Sequence, residues 1–209
     1  MTKTAVIFLL FAFFHSLTVS QKFKKLCRDL FGNTFMRAWY RAIYNMVSFI
    51  TAVTAFALIH QVPDRQLWDA PVWLTWIMHT MQIVGLAFGS LSFRYLDGGE
   101  FLGIRQVLRY LSRREVAGNI EGLTEKELVT DGVYSIVRHP LYVAGIVIFS
   151  FNPHITVNSL IVTVLADLYF LLGMFIEERR FLRMFGDQYR EYMKRVPRML
   201  PKLQFLDRR

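Results

Sequence analysis

Apolar residues in this chain fall into long uninterrupted runs rather than alternating or three-and-four spaced stripes. Residues 4–19, 39–60, 71–93 and 155–176 each approach the roughly 20 residues that carry a helix across a hydrocarbon core of about 30 Å. A fifth run, 140–151, has only twelve residues, rises about 18 Å and is too short to cross alone. Asn152-Pro153 behind it is a turn signal, so the last two runs are predicted to form a helical hairpin. Between 98 and 114 the period changes. Phe101, Ile104, Leu108 and Leu111 recur at three and four, with Arg105, Arg109 and Arg113 on a second stripe. That spacing predicts one basic amphipathic helix, lying on the inner leaflet or packed on the protein's own surface. Residues 115–131 read as a polar connector.

Charge gives these segments an orientation. Of the 25 Lys and Arg residues, 6 lie in the basic stretch 22–41 that links the first run to the start of the second. Another 7 lie between the third and fifth and 10 from Arg179 onward, leaving only Lys3 and Arg65 for the other side. Positive loops are retained on the cytoplasmic side. The expected fold is therefore an all-α polytopic integral membrane protein of five membrane segments, with the N-terminus outside, a C-terminal helical hairpin and cytoplasmic tail helices. A cleaved signal peptide over residues 1–20 is the rival reading, and it would leave the basic stretch 22–41 outside. A chain that is 54% hydrophobic and 15% aromatic is not a disordered tail. One cysteine, Cys27, forms no intramolecular disulfide and no thiolate metal site. The net charge of +9 borders the apolar runs, so membrane lipids rather than nucleic acid are the expected partners.

Candidate chemistry gathers in the last third. Thr130 to Tyr134 reads as a turn, and Pro140 suits the first turn of a helix, where its missing N–H is no loss. Arg138 and His139 then precede a helix N-terminus, whose open N–H groups suit a carboxylate or hydroxyl-rich ligand. The last run ends in Glu177-Glu178-Arg179-Arg180, predicted to put two carboxylates at a helix C-terminus, where the dipole disfavours them. Either Arg179 and Arg180 neutralise them, or the hairpin brings Arg138, His139 and Tyr142 close and makes a site for a zwitterionic or cationic ligand. Gly186 then ends one helix, and Asp187 is the expected N-cap of another that carries Tyr189 and Tyr192 on one face. Tyrosines at that level also serve as membrane-belt anchors. Within the runs His15, His79, Gln82 and Asp167 call for partners or a functional role. Of these, His79 is taken as a substrate contact. Gly85 and Gly89 form a GxxxG pattern suited to close helix packing.

Several linked motifs carry a resemblance. They are Gly132-x-Tyr134, Arg138-His139-Pro140-x-Tyr142, Glu177-Glu178-Arg179 with Leu182, Phe185-Gly186, Tyr189 and Tyr192, and Val196-Pro197-Arg198 with Pro201. This stretch, about 128–201, resembles the C-terminal half of the integral-membrane methyltransferases, which include isoprenylcysteine carboxyl methyltransferases and phospholipid N-methyltransferases. His15-Ser16, Tyr40-Arg41-x-x-Tyr44-Asn45 and the run from Phe101 to Gln106 are similar to bacterial branches of that superfamily. Those branches include methanethiol S-methyltransferases and denitrification-associated (NnrU-like) membrane proteins.

The resemblance implies one methyltransferase domain over 1–209 in a bacterial inner membrane. Its parts are a three-span part (1–97), an amphipathic helix and connector (98–130) and a cofactor-binding hairpin and tail (131–209). S-adenosylmethionine is the implied cofactor, bound by Tyr134, His139, Pro140, Tyr142, Glu177, Glu178, Tyr189 and Tyr192. Glu177 and Glu178 would hold its polar groups, one of them the amino group, and Arg138 would pair its carboxylate. Tyr189 and Tyr192 would close over the adenine or the substrate entrance. Arg138 and His139 are the implied catalytic residues, Arg195 and Arg198 are anion contacts for the substrate, and no metal is needed. The implied acceptor is a small or lipophilic thiol or a prenylcysteine-type carboxylate. A phospholipid amine methyltransferase and a non-catalytic membrane accessory protein are the alternatives.

Overall fold

The computed structural model describes residues 1–114 and 128–200, so most of the expected connector, and Pro201, lie outside the described residues. In chain order the elements are α1 (Thr2–Val19), α2 (Gln21–Phe31), α3 (Asn33–His60), β1 (Gln66–Asp69) and α4 (Val72–Leu91), with a 3-10 turn at Ser92–Arg94. There follow α5 (Gly98–Leu102), α6 (Ile104–Leu111), α7 (Val133–Ile136), α8 (Pro140–Ser150), β2 (His154–Thr156), α9 (Val157–Phe185) and α10 (Asp187–Arg195). Two compact units emerge: 1–65, 97–114 and 157–162 form one, and 66–96, 128–156 and 163–200 the other.

Among the described residues four helices are long and apolar enough to cross a membrane: Thr2–Val19, Asn33–His60, Val72–Arg94 and Val157–Phe185. Only 11–17% of each apolar window is buried, while Phe49, Trp76, Ile83 and Ile176 stand exposed. Apolar surface on that scale, turned outward, fits hydrocarbon as the surrounding solvent rather than water.

In the first unit α1 and α3 pack side by side. Their polar residues meet one another: Tyr44 Oη lies 2.8 Å from His15 Nε2, and the Tyr40 hydroxyl donates to the Thr18 carbonyl. Thr4 donates to Asn158 Oδ1 at 2.6 Å, and Asn158 in turn donates to the Val62 carbonyl. These contacts hold the first turns of α1 and α9 to the end of α3. The basic loop expected after α1 is instead largely helical. Ser20 caps α2 by accepting from the Phe23 N–H, Gly32 at φ +81° breaks the chain, and α3 begins at Asn33.

The amphipathic helix expected over 98–114 is also two helices, broken at Gly103 with φ +84°. The cause lies in α3: Gly103 sits on the backbone of Arg41 and Ala42, where no Cβ fits. Arg41 Nε and Asn45 Nδ2 both donate to the Phe101 carbonyl, at 2.7 and 3.0 Å. Arg105 and Arg109 turn to Asp97 and Glu100 at 2.5 and 2.6 Å. Gly103 and the Phe101 carbonyl thus meet α3, while Ile104, Leu108 and Leu111 of the apolar stripe stay exposed.

In the second unit α4 and α8 run antiparallel, with Gly85 against Val147 and Gly89 against Ala144. Gln82 donates to the Ile148 carbonyl at 2.9 Å, and Ser150 on α8 donates to Asp167 on α9 at 2.7 Å, so two of the costly intramembrane residues find partners. A two-stranded antiparallel ribbon, β1 with β2, pairs Asp69 with His154 and Gln66 with Thr156. The all-α expectation did not include it, and it takes Ile155 and Thr156 out of the last predicted run. α9 also runs past the predicted helix end, to Phe185, so Glu177 and Glu178 lie two turns inside it. Gly186 at φ +53° is the N-cap of α10, and Asp187 is the first helical residue, paired with Arg190 at 2.8 Å.

A Cβ at Gly89 would stand 2.6 Å from the Ala144 Cβ, so Gly89→Ala must push α8 away from α4. It should cost about 1–3 kcal/mol, read as a lower melting temperature in detergent. Gly98→Ala, with open space around it, should leave the melting temperature unchanged.

Candidate active site

Pro140 opens α8 as its first residue, and His139 is the N-cap. The preceding residue, Arg138, reaches across to α9 and to the segment after α10. Its Nε and Nη2 donate to Glu178 Oε1 at 2.9 and 2.6 Å. Its Nη1 donates to the carbonyls of Met193 and Val196 at 3.1 and 2.7 Å. Its backbone N–H donates to the Pro197 carbonyl at 2.9 Å. Four of the five guanidinium N–H groups are thus committed within the protein. The side chains of Arg138 and Glu178 are only 7% and 5% exposed. From the other side Arg198 donates to Glu178 Oε2 through Nε at 3.1 Å and Nη2 at 2.5 Å, with its guanidinium 4.2 Å from the centre of the Phe175 ring.

His139 completes the cluster. Its Nε2 lies 3.3 Å from Glu178 Oε1 and its Nδ1 3.4 Å from Glu177 Oε2. Two ring nitrogens that each face a carboxylate both carry protons in the favoured state, which is imidazolium. Burial, the largest single influence, opposes that charge, but the hydrogen bonds and charges of Glu177 and Glu178 outweigh it and hold the His139 pKa above its ordinary 6.5. When His139 is protonated, it joins Arg138 and Arg198 in facing two carboxylates, which leaves one positive charge in surplus.

The two glutamates differ in what they have left to offer. Glu178 is surrounded by three cationic groups. Glu177 has the His139 contact at 3.4 Å, and its side chain is 26% exposed. Sequence spacing gave them equal standing; the geometry makes Glu178 a brace and Glu177 the carboxylate with an open edge.

Tyr189 and Tyr192 are buried on α10, packed with Val196 against Phe181, Leu182 and Phe185 of α9. Tyr192 donates to the Tyr134 carbonyl at 2.6 Å. The Tyr189 hydroxyl is buried with no hydrogen-bond partner among the described residues. Burial raises the pKa of Tyr134 to about 12 and raises those of Tyr189 and Tyr192 as well, so all three stay neutral donors. Tyr142 sets its ring edge to face against His139, centroids 5.6 Å apart, and lies on Gly173. Pro140 is fully buried.

The structure therefore gathers Arg138, His139, Glu177, Glu178 and Arg198, with Tyr142 at the edge and Tyr134, Tyr189 and Tyr192 in the packing around them. It does not gather Arg195, which is exposed at the end of α10. Nor does it gather His79, which pairs with Gln82 at 2.9 Å beside a cavity lined by Asp69, Trp76 and His154, near the opposite end of α4. Sequence reasoning missed Phe175, which carries Arg198, and Tyr95, on which Gly132 lies at φ +59° with no room for a Cβ.

Removing the carboxylate in Glu178→Ala leaves two arginines unmatched. It should cost about 3–5 kcal/mol, read as a large drop in melting temperature and faster proteolysis after α10. His139 contributes in the opposite pH sense to a paired carboxylate. Because its folded pKa is raised, its stabilisation is complete below 6.5 and fades as pH rises through the folded value. The melting-temperature gap between the protein and His139→Gln should be widest in mildly acidic buffer and narrow as pH is raised.

Among known proteins, the family described as NnrU protein matches residues 4–200. Methanethiol S-methyltransferase of Pseudomonas deceptionensis is 28% identical over 93% of this chain and 70% of its own length. Methanethiol S-methyltransferase 1 of Bradyrhizobium diazoefficiens is 28% identical over 92% of this chain and 64% of its own length. Protein-S-isoprenylcysteine O-methyltransferase of Schizosaccharomyces pombe is 37% identical over 35% of this chain and 33% of its own length. No solved structure matches the chain significantly. With a match that runs through nearly all of it, this chain belongs to the NnrU protein family.

Proposed function

We propose that this protein is an integral-membrane methyltransferase, that S-adenosylmethionine is its methyl donor, and that its acceptor is a small or lipophilic thiol entering from the bilayer. Relatives named methanethiol S-methyltransferase that align over more than nine tenths of the chain support the reaction class. The observation that carries the reading to this site is the half-open Glu177 carboxylate beside a buried cluster with one cation in surplus. That donor set is complementary to a zwitterion. Glu177 takes an ammonium, and the exposed edge of Arg198, one third open to the outside, takes a carboxylate. Arg138 is too fully committed for that task, so it and Glu178 hold the other two in place. The unpartnered Tyr189 hydroxyl is one further donor within the cluster's field.

When bound, the donor supplies an electrophilic methyl on a sulfonium, whose charge is lost as the methyl is transferred in line. An apolar surround favours that loss of charge, and alignment of acceptor and methyl supplies most of the rate. A free thiol has a pKa near 8.5, and the cluster's surplus charge draws an approaching thiol toward the thiolate. α8, eleven residues long, is the fifth membrane segment, entering beside α4 without crossing alone. The Lys and Arg partition supports an N-terminus outside and a site and tail in the cytoplasm.

Calorimetry of the detergent-purified protein with S-adenosylmethionine and S-adenosylhomocysteine tests the reading. Binding is expected, and Glu177→Gln should weaken it roughly 10- to 100-fold, the worth of a charge-assisted hydrogen bond, while lowering the melting temperature far less than Glu178→Ala does. No binding by a well-folded sample sinks the enzyme reading. Binding untouched by Glu177→Gln removes Glu177 from the site.

A further inference from the structure

The first unit holds a second place with its own chemistry. Where the start of α3 meets the end of α6, a cavity of about 740 Å³ is lined by Asn33, Thr34, Arg37, Tyr110, Arg113 and Arg114, with Leu111 beside them. Trp39 of α3 holds Tyr110 of α6 edge to face, centroids 6.2 Å apart, which fixes the two walls against each other. Three guanidinium groups share this space, and among the described residues no carboxylate pairs with any of them. Their neighbours Arg105 and Arg109 do have such partners in Asp97 and Glu100, so within α6 and the turn after it the cations without a carboxylate are the ones that line the cavity. No side chain caps the first turn of α3, and its open N–H groups add to the positive potential there. Arg113 has φ +54°, the one non-glycine residue with positive φ among the described residues, a conformation L side chains seldom adopt. Leu111 in the lining, Phe31 and Phe35 on either side of Asn33 and Thr34 in the chain, and Leu108 one turn before Leu111 are all exposed.

We propose that this cavity binds the phosphate headgroup of an anionic phospholipid of the cytoplasmic leaflet, with its acyl chains lying along the exposed Phe31, Phe35 and Leu111. Planar guanidinium groups match phosphate oxygens in pairs. A free phosphate compound satisfies the arginines equally well but leaves the apolar rim uncovered, and the rim decides for the lipid. A phosphodiester carries one negative charge, so additional hydroxyl or phosphate groups on the headgroup fit the three arginines better than phosphatidylcholine, whose choline cation opposes them. The inference rests on the orientation proposed above, which puts the start of α3 at the cytoplasmic face, and is independent of the methyltransfer chemistry.

The test uses the full chain in detergent micelles, with retained and titrated lipid read by native mass spectrometry. Phosphatidylglycerol and phosphatidylcholine are compared for the protein and for a triple variant, Arg37→Gln, Arg113→Gln, Arg114→Gln. All three side chains are exposed, and an unchanged melting temperature verifies the fold. A second triple, Lys22→Gln, Lys25→Gln, Arg28→Gln on α2, removes the same charge outside the cavity. Phosphatidylglycerol should bind in preference to phosphatidylcholine and lose affinity on the order of a hundredfold in the cavity variant, since each basic residue near anionic lipid is worth about 1 kcal/mol. The α2 variant should bind nearly as the parent does, and inorganic phosphate in equal amount should not displace the lipid. Equal loss in both variants, or no preference between the lipids, overturns the site in favour of diffuse attraction. Displacement by inorganic phosphate overturns the lipid assignment. The orientation is checked separately by cysteine labelling of Asn33→Cys in intact cells and inverted vesicles: labelling from outside would fail that reading whatever the micelle result.

Discussion

A carboxylate removed from water is tolerable only among cations, and Glu178 of α9 shows how much of a fold that single requirement organises. Arg138 meets it from the residues just ahead of α8, and Arg198 from the segment after α10. Arg138 also binds the carbonyls of Met193, Val196 and Pro197, so the chain after α10 must fold back beside the start of α8. The arrangement is costly to build and costlier to break, because loss of one partner strands the others in a poorly hydrated place. Its return is a rigid frame in which His139 and Glu177 have fixed positions.

Elsewhere hydrocarbon sets the rules. Helices surrounded by lipid gain little from burying apolar side chains against each other, since the tails outside are as apolar as leucine. Close approach and polar pairs do the holding. In one unit Thr4 meets Asn158 and His15 meets Tyr44. In the other, Gly85 and Gly89 let α8 come near enough for Gln82 to reach the Ile148 carbonyl, and Asp167 finds Ser150. These polar side chains are thereby answered within their own unit.

These devices differ in how far they can be read from the chain alone. Apolar runs announce the spans, because length and hydropathy are local properties, and Pro140 and the GxxxG pair announce a helix start and a packing face. The break at Gly103 is not local: nothing between 98 and 114 foretells it, because the cause is the backbone of Arg41 and Ala42 in α3. The β1–β2 ribbon pairs segments about 85 residues apart through very short strands, below any periodicity signal. α9 outlasts its apolar run for a simpler reason. Arg179 to Phe185 are good helix formers that no longer need lipid, so hydropathy ends where the helix does not. The four-residue α7 and the switch of Asp187 from cap to first helical residue are details of the same kind.

The two adjacent glutamates show the limit most sharply. As letters they are interchangeable, and the motif that contains them says only that carboxylates belong at this level. Neighbouring residues on a helix point about 100° apart, so when one turns toward Arg138 and Arg198 the other is carried round toward His139 and the open edge. Burial then assigns the roles: the inner carboxylate is held by its surroundings, while the outer one keeps an unfilled face. What a sequence motif records as a pair is, once folded, one carboxylate enclosed by cations and one that keeps an open edge.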